Sequence, residues 1–430
     1  MEWIGATAAK GFRLGFALAI FVQAVPLATA DPTEKFDAVR EFAEAYDQIK
    51  SRYADRLDEK LLVSNAIKGM VAALDPFSYY LEPDAYDELR QETVGVFGGL
   101  GMEVSLEKGA VKVVSAFEDS PAYRAGLLAG DLITRLGETD VAGLTLEQAV
   151  RHARGEPDSS IALTVLRKGD VEPRIVTVRR AIIHARSVKS ETIDSAYFYL
   201  KITHFHKHTA ENMLAALAGG YQQTGGLKGV ILDLRDNPGG VLKSAVAVSA
   251  TFLPEDALVV YTESASEQSR MRLVAKPVYV TGGEDYSTLR AALKSVPLVV
   301  LVNGGSASAA EVVAGALQSH DRATIVGTRT FGKGSVQVVL PLSAGSALKL
   351  TTAYYSTPDG RKINGTGLVP DIAVEQSPIG VACSEAAGVG APASKVLAGE
   401  PAPNVAPAEG DCQFDRAVEI LRRLRNLVES

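Results

Sequence analysis

The stretch PLVVLVNGGSASAAEVVAGALQS, Pro297 to Ser319, decides the fold of the central part of the chain. It begins as a continuous apolar run, which is typical of a strand covered on both faces, and passes through two glycines into a helical run. Ser308 precedes the helical run, and Glu311 lies three residues after Ser308. This spacing is the pattern of a capping box. A serine that caps a helix and a serine that attacks a substrate both fit this pattern, so the stretch alone leaves both interpretations open.

The same alternation of strands and helices extends over residues 181–377. Strand-like runs such as AYFYLKITHF, GVILDL and ATIVG are separated by helical ones such as HTAENMLAALAGGYQQ. The strands GVILDL and PLVVLVN are apolar almost throughout, which indicates a sheet with both faces covered. We therefore predict an α/β core.

Two further stretches of this core have unusual endings. GVILDLRDNPGG, residues 229–240, is an apolar strand that runs into a turn with two glycines. GTRTFGKGSVQVV, residues 327–339, places Lys333 between two glycines, and Gln337 follows four residues later. Together with the stretch around Ser308, they are the candidates for chemistry.

Residues 94–180 differ in character, with short strands and glycine turns. GGLGMEVSLEKGAVKVVSAF predicts two strands joined at a Lys-Gly turn, and SPAYRAGLLAGDLITRLGETDV predicts a short helix and another strand. This order resembles a PDZ domain, and the four residues Gly98, Gly99, Leu100 and Gly101 lie where that family has its carboxylate-binding loop. Successive backbone N–H groups of a glycine-rich loop bind a terminal carboxylate while the peptide adds as a strand. An ordinary turn is the alternative interpretation of these four residues.

The three core stretches, in this order and behind a PDZ-like domain, resemble the carboxyl-terminal processing (tail-specific) proteases, a family of serine–lysine peptidases. The likeness covers nearly all of residues 31–375, and the pair SASAAE and TFGKGSVQ is highly specific. It implies a crotonase/ClpP-like α/β protease core. Carried over to this chain, it makes Ser308 the nucleophile, Lys333 the general base and Gln337 the residue that orients the lysine. Ser306 is the rival nucleophile, but it is Ser308 whose 25-residue spacing to Lys333 matches the family pattern.

The chemistry of acyl transfer explains the lysine and the glutamine. A lysine with its ordinary pKa of about 10.4 is protonated at neutral pH and cannot accept the serine proton. Burial among apolar groups lowers the pKa and makes the neutral amine available. We expect Phe331 to supply an apolar surface, and Gln337 to lie on the same face of an extended chain as Lys333. An amide suits that place, since a carboxylate would keep the lysine protonated.

A helix that begins directly after Ser308 offers an oxyanion hole. The backbone N–H of Ala309 lacks a partner within the helix and, aided by the helix dipole, stabilises a developing negative charge. We expect the second donor in the turn NPGG, at Gly239 or Gly240. Ser308 then caps the helix and acts as the nucleophile from one position.

The sequence departs from the family pattern in two places. Members usually carry histidine in the DPxS segment, where this chain has Phe77, and some relatives have an aspartate eleven residues after the nucleophile, where this chain has Ser319. In some regulated members a PDZ arginine contacts the catalytic centre once a substrate tail is bound. Arg167 is the candidate for that sensor, and a surface arginine on a strand is the alternative interpretation.

The histidines give two alternative sites, both disfavoured. A Ser-His-Asp triad would use His320 and Asp321, but adjacent residues rarely point together productively, and no G-x-S-x-G surrounds Ser308. Three alternating histidines suggest a metal site, but a solvated strand end is favoured for them; they are His204, His206 and His208.

The two ends of the chain differ from the core. Lys10 and Arg13 precede the apolar run LGFALAIFVQAVP and the small residues ATA, which predicts a signal peptide over residues 1–30. An uncleaved membrane anchor is the alternative. Residues 31–93 show helical spacing and are predicted to form a helical N-terminal region without obvious chemistry.

The C-terminal part combines a predicted linker with a last helix. Residues 378–411 are rich in alanine, proline and glycine, and residues 412–430 form an amphipathic pattern. The two cysteines, Cys383 and Cys412, have the option of closing a loop in an oxidising compartment, and a structural role is favoured over a catalytic one. No cysteine–histidine cluster has zinc spacing, so no metal site is predicted.

The composition sets limits on the function. The chain of 430 residues is 47% hydrophobic and 22% charged, which indicates a globular protein of two or three domains. A net charge of −7 without a basic block disfavours nucleic acid as a partner. The family resemblance and the predicted signal peptide together imply an exported endopeptidase of the bacterial periplasm or cell envelope, soluble after signal cleavage or weakly membrane-anchored. No cofactor is implied, since no phosphate-binding loop is present.

The resemblance also implies the partners. The substrates would be proteins with flexible apolar C-termini, captured by the PDZ-like domain and cut through an acyl-enzyme. An activating adaptor or lipoprotein and a homo-oligomer are further expected partners. Two alternatives stay open: a PDZ scaffold whose protease part is inactive or partner-activated, and the acyl-transfer chemistry of crotonase-like folds, for which no coenzyme A feature is seen.

Overall fold

The computed structural model describes residues 32–117, 120–170, 172–184, 187–193, 197–276, 287–343, 345–375 and 410–429. The predicted signal peptide and nearly all of the predicted linker lie outside these residues, as does Cys383. The chain divides into two units, Met1–Ile67 and Lys68–Ser430. Within the described residues, no helix has the length and apolar character needed to cross a membrane.

Two helices open the described chain, α1 (Pro32–Arg52) and α2 (Glu59–Ala72). They confirm the helical spacing seen in the sequence. Lys50 pairs with Glu59 at 2.9 Å and joins the end of α1 to the start of α2. Val39 and Phe42 of α1 are 66% and 51% exposed, so the apolar face of this helix is not buried within its own unit.

A short strand, β1 (Tyr79–Leu81), and the helix α3 (Pro83–Val94) follow. α3 ends at Gly95, whose φ of 74° lies in the left-handed region that glycine adopts without steric cost. β1 pairs with a long strand near the end of the α/β core instead of with its sequence neighbours. The sequence grouped this segment with the N-terminal helices, but its strand belongs to a core sheet.

The next domain is rich in short strands, as predicted. Its elements are β2 (Val96–Gly99), β3 (Met102–Glu107), β4 (Ala110–Ala116), α4 (Pro121–Arg124), β5 (Leu132–Leu136), β6 (Thr139–Asp140), α5 (Leu146–Ala153), β7 (Ser160–Leu166), β8 (Arg174–Arg179) and β9 (Ala181–His184). The main sheet has the order β3-β4-β5-β7-β8, with β6 beside β5, and packs around the buried side chains of Leu100, Val113, Ile133 and Leu163. A separate pair, β2 with β9, joins the two ends of the domain.

The α/β core follows from residue 188. Its elements are β10 (Val188–Ile193), β11 (Tyr197–Ile202), α6 (Thr209–Thr224), β12 (Gly229–Asp233), α7 (Leu242–Phe252), β13 (Leu258–Glu263), β14 (Arg272–Val274), α8 (Ser287–Ser295), β15 (Leu298–Val302), α9 (Ala309–Ser319), β16 (Thr324–Gly327), β17 (Ser335–Pro341), β18 (Ala347–Ser356), β19 (Ile372–Ala373) and α10 (Cys412–Glu429).

The central sheet of the core has the order β10-β11-β12-β15-β16-β19. All neighbours from β11 to β19 are parallel, and only β10 is antiparallel. Every residue of β12 and β15 is buried, because α6, α7, α8 and α9 pack on one face and α10 on the other. The predicted sheet with both faces covered is confirmed.

A second sheet of the core is antiparallel and has the order β1-β18-β13-β14, with β17 also paired to β18. Its register brings Tyr80 of β1 opposite Leu348. The β17–β18 pairing shifts between Val336 and Gln337, whose partners are Ala353 and Thr351, so the extra residue Thr352 lies in β18. This sheet places the residues before β1 beside the loop that carries Lys333.

Candidate active site

Ser308 lies between β15 and α9, at the carboxyl end of a fully buried strand. It is the N-cap residue of α9, as the sequence predicted. Its backbone has φ 52° and ψ −112°, which is costly for a residue with a side chain. Such strain is characteristic of nucleophiles held on a sharp strand-to-helix turn, so the backbone favours a nucleophile over a cap alone.

Ser306, the rival serine, has a structural role. Its side chain is buried, donates to the carbonyl of Leu234 at 2.7 Å and accepts from the backbone N–H of Asn303 at 3.0 Å. These bonds hold the loop before Ser308 against the end of β12. The hydroxyl of Ser306 is therefore engaged both as donor and as acceptor.

The turn after β12 lies directly against Ser308. A Cβ on Gly239 would stand 2.8 Å from the Cβ of Ser308 and 3.0 Å from the nitrogen of Ala309, and its φ is 104°. The side chain of Asn237 fixes the turn, accepting from Gly239 N at 2.9 Å and donating to the end of β11 at 2.8 Å. Because the N–H of Gly239 is engaged, Gly240 is the better candidate for the second oxyanion donor.

Lys333 lies in the loop between β16 and β17. Its neighbouring glycines are required by close backbone approach: a Cβ on Gly334 would stand 2.2 Å from the nitrogen of Asn364. Burial, followed by the charge of Lys349, holds the pKa of Lys333 below its usual range. This is the direction that a lysine needs in order to act as a base at moderate pH.

Glu311 joins the loops of Ser308 and Lys333. Its Oε2 accepts from the backbone nitrogens of Ser308 at 2.8 Å and Lys333 at 2.9 Å, and its Oε1 accepts from Thr330 Oγ1 at 2.6 Å and Gly332 N at 2.7 Å. Burial raises the pKa of Glu311 although these bonds act in the opposite direction. The sequence marked Glu311 as part of a capping box, but its contact with the lysine loop was not predicted.

Tyr355 of β18 is a second neighbour that sequence reasoning missed. Burial raises the pKa of Tyr355 to about 12, and the neighbouring side chain of Ser308 acts in the opposite direction. Its backbone N–H donates to the carbonyl of Gly334 at 2.6 Å. A buried phenol with this pKa stays neutral at physiological pH, so it cannot replace Lys333 as the base.

Gln337 lies two residues inside β17, whereas Lys333 lies in the loop before this strand. The strand on which the predicted shared face was based therefore does not extend back to Lys333. The amide nitrogen donates to Ser335 Oγ at 2.8 Å and to Thr351 Oγ1 at 3.2 Å. Its role in orienting Lys333 stays a prediction.

The apolar surface beside Lys333 comes from a different residue than the one predicted. Phe331, from which this surface was expected, is 61% exposed. Instead, the ring centroid of Phe77 lies 4.9 Å from Lys333 Nζ. The sequence contained a signal for this, the unusual phenylalanine in the DPxS segment, but no pattern linked it to the lysine.

The histidines lie in a loop and not along a strand, so the predicted solvated strand end is wrong. β11 ends at Ile202, and His206 is 2% exposed. The ring of His206 packs against Gly95, where a Cβ would stand 2.6 Å from the ring. His320 is far from a triad arrangement, since its Nε2 bonds the carbonyl of Leu258 at 2.7 Å.

The predicted tail-binding loop starts in β2 and continues to Gly101. Three of its carbonyls accept hydrogen bonds: Gly98 O from Gly155 N at 3.2 Å, Leu100 O from Ala122 N at 2.8 Å, and Gly101 O from Phe117 N at 2.9 Å. Gly98 is required here because a Cβ would stand 2.0 Å from the carbonyl oxygen of Gly155, and Gly99 completes the strand. The carbonyl side of the loop is thus engaged within the domain.

Arg167 follows β7 in the same domain. It pairs with the buried Asp131 through two bonds of 2.7 Å and donates to the carbonyl of Gly126 at 2.8 Å. The hydrogen bond with Asp131 contributes most to the raised pKa of Arg167, so the guanidinium is charged. The sensor role stays a prediction, and in this conformation Arg167 is held by its own domain.

The chain is similar to known protein families and to individual bacterial proteases. Residues 196–374 match peptidase family S41, residues 98–178 match the PDZ domain, and residues 21–85 match the activating protease CtpB N-terminal domain. The carboxy-terminal-processing protease of Bartonella bacilliformis is 40% identical over 359 residues, which is 83% of this chain and 80% of that protein. The carboxy-terminal processing protease CtpB of Bacillus subtilis is 32% identical over 358 residues, which is 82% of this chain and 71% of that protein. The carboxyl-terminal-processing protease of Synechocystis is 34% identical over 336 residues, which is 76% of this chain and 75% of that protein.

Proposed function

We propose that this chain, which belongs to peptidase family S41 and is a carboxy-terminal processing serine protease with a PDZ domain, cuts its substrates with Ser308 as nucleophile and Lys333 as general base. The observation that carries the proposal is the carboxylate of Glu311. One of its oxygens accepts from the backbone nitrogens of both residues, at 2.8 and 2.9 Å. Residues 25 positions apart in sequence are thereby held at one place.

The proposed reaction passes through an acyl-enzyme. The neutral amine of Lys333 takes the proton of Ser308 Oγ, and the oxygen attacks the carbonyl carbon of the scissile bond. The backbone N–H groups of Ala309 and Gly240 stabilise the oxyanion. The C–N bond breaks as the lysine ammonium protonates the leaving amine. Water, deprotonated by the same lysine, then releases the new carboxyl terminus and restores the serine.

The PDZ domain selects the substrate in this proposal. Residues 98–101 bind the terminal carboxylate through backbone N–H groups, and an apolar tail adds along β3. The sheet order supports this, because β3 directly follows the loop and is an edge strand of the main sheet of the domain. Release of Arg167 from Asp131 on tail binding would let it act as the sensor.

The cellular setting is also part of the proposal. The N-terminal sequence supports export to the bacterial cell envelope, and residues 21–85 resemble the N-terminal domain of an activating protease. We propose flexible protein tails as substrates, an adaptor or lipoprotein as activator and a homo-oligomer as the working form. The exposed apolar residues of α1 support the last point.

A cleavage assay tests the proposal. The chain from Asp31 would be given a poorly folded substrate with a free apolar C-terminus, and the same substrate with its tail amidated. Cleavage that needs the free tail and is lost in Ser308→Ala and Lys333→Ala supports it. Lys362→Ala, at a lysine whose side chain is 72% exposed, is the matched control and should retain activity.

The rival function is a PDZ scaffold with an inactive or partner-activated protease part. It predicts tail binding without cleavage, unchanged by Ser308→Ala. Labelling with a fluorophosphonate separates the two, since only an activated serine reacts.

A further inference from the structure

The segment Asp75–Ser78, between α2 and β1, is fixed against the core by one carboxylate. Asp75 Oδ1 accepts from the backbone nitrogens of Phe77 at 2.8 Å and Ser78 at 3.0 Å, and Oδ2 accepts from Ser78 Oγ at 2.6 Å. Burial acts to raise the pKa of Asp75, but the hydrogen bonds outweigh it and the pKa lies below its usual range. The carboxylate is therefore charged at neutral pH and keeps the segment folded into a tight turn.

Two contacts hold this turn on β18. The backbone nitrogen of Thr351 donates to Ser78 Oγ at 2.9 Å, and Thr351 Oγ1 donates to Asp75 Oδ1 at 3.1 Å. The same Thr351 oxygen accepts from the side chain of Gln337 at 3.2 Å. A chain of hydrogen bonds thus leads from Asp75 to the predicted partner of the catalytic lysine.

The turn places one aromatic ring on the catalytic lysine. The centroid of the Phe77 ring lies 4.9 Å from Lys333 Nζ, within the distance of a cation–π contact. Tyr79, two residues on, makes an equal contact of 4.9 Å with Lys349. The two aromatic residues of one segment therefore contact two lysines, only one of which is the proposed base.

We propose that Phe77 is a positioning residue of the protease, whose ring excludes water from the Lys333 amine, and that Asp75 holds it in place. This inference rests on the proposed role of Lys333. It assigns a catalytic contribution to the N-terminal region, for which the sequence indicated no chemistry.

The ring has two opposing effects on the lysine. It removes water from one side of the amine, which favours the neutral form, and its π face attracts the ammonium. The first effect prepares the base, and the second stabilises the ammonium that forms once the serine proton has moved. We expect desolvation to dominate in the resting enzyme, because burial is the main cause of the lowered pKa of Lys333.

The charged and titratable neighbours of Lys333 do not by themselves produce the desolvation assigned to the Phe77 ring. Lys349 from β18 acts in the same direction through its charge. Glu311 from α9 accepts the backbone N–H of Lys333, and Tyr355 from β18 stays neutral. Asp75 faces its own turn and Thr351. Removing the ring changes none of these groups directly.

The test is the pH dependence of the reaction in the full chain from Asp31. Both kcat/KM for a short unstructured peptide and the rate of fluorophosphonate inactivation would be measured from pH 5 to 10. Since the neutral amine is the active form, the rate rises through the pKa of Lys333. Phe77→Ala should move this midpoint upward by about one pH unit, with roughly a tenfold slower rate at pH below it. Phe77→Leu, which keeps an apolar side chain, should move it less.

Tyr53→Ala is the matched control, because it removes a 59% exposed aromatic ring from the same N-terminal region. Its midpoint should stay at the wild-type value. If Phe77→Ala fails to fold by circular dichroism, Asp75→Asn replaces it, and a smaller upward movement is expected. A midpoint that does not move in either variant, or a loss of rate that is equal at every pH, overturns the inference. If activity survives in Lys333→Ala, the proposed mechanism itself is contradicted.

Discussion

The guanidinium of Arg235 donates from Nη1 to Asp411 at 2.8 Å, across 176 positions of the sequence. Arg235 follows β12 and Asp411 directly precedes α10, so the pair ties the last helix to the strand that leads into the turn of Gly239 and Gly240. Asp233 binds the same guanidinium from the other side at 2.7 Å and accepts from Tyr199 at 2.7 Å. Cys412, next to Asp411, forms half of a disulfide.

Removal of Asp411 should destabilise the protein. Burial opposes the charge of Arg235, but Asp233 and Asp411 raise its pKa, and the side chain is only 6% exposed. Asp411→Ala leaves this buried cation with one carboxylate, and we expect a loss of about 1–3 kcal/mol in the free energy of unfolding. Chemical denaturation measures it. Asp415→Ala, one turn further along α10, is the control and should lose less than about 1 kcal/mol.

Glu311→Gln should damage catalysis more than folding. The replacement keeps the shape, but in either orientation of the amide its NH₂ group faces backbone N–H donors, those of Ser308 and Lys333 or that of Gly332. The two loops then move apart, and a misplacement of about 1 Å costs on the order of 10²-fold in kcat/KM. Steady-state kinetics and thermal unfolding of the same sample separate the two effects.

Thr330→Val is the graded control for Glu311. It removes one of the four hydrogen bonds, that of 2.6 Å to Oε1, and leaves the bonds to Ser308 and Lys333 in place. Its kcat/KM should lie between wild type and Glu311→Gln. An unchanged rate in Glu311→Gln would show that the loops are held by other contacts.

The sequence predicted those parts of the molecule whose signal is local. The apolar runs of β12 and β15 marked the covered sheet, and the spacing around Ser308 marked the start of α9. The contacts that cross the fold were missed, because no local pattern encodes which residue a distant loop meets. Phe77 was expected in a helical region without chemistry but lies beside Lys333, and Phe331, which was expected to supply the apolar surface, is 61% exposed. The prediction for Gln337 assumed a strand that extends back to Lys333, but β17 begins at Ser335.

Lys333→Met should raise the stability of the folded protein at neutral pH while removing activity. The pKa of Lys333 is lowered in the fold, whereas in the unfolded chain it is about 10.4. Below the folded pKa the native state carries a partly buried charge at full cost; as pH rises through that pKa, the native amine becomes neutral and the cost declines. The thermal midpoint of Lys333→Met should therefore exceed that of wild type most at low pH, and the gain should shrink as pH approaches 10. Lys362→Met, at an exposed lysine, should show no such trend.

Gly239→Ala should reduce catalysis by displacing the nucleophile. A Cβ at this position would stand 2.8 Å from the Cβ of Ser308, and φ at Gly239 is 104°, so both the side chain and the backbone must shift. We expect kcat/KM to fall by about 10²-fold or more. Gly304→Ala is the matched control on the facing loop, since a Cβ there meets nothing within 4 Å. Equal rates in the two variants would mean that the turn after β12 does not determine the position of Ser308. A selective loss in Gly239→Ala, together with a lower rate of fluorophosphonate labelling, would tie this turn to the reactivity of the serine itself.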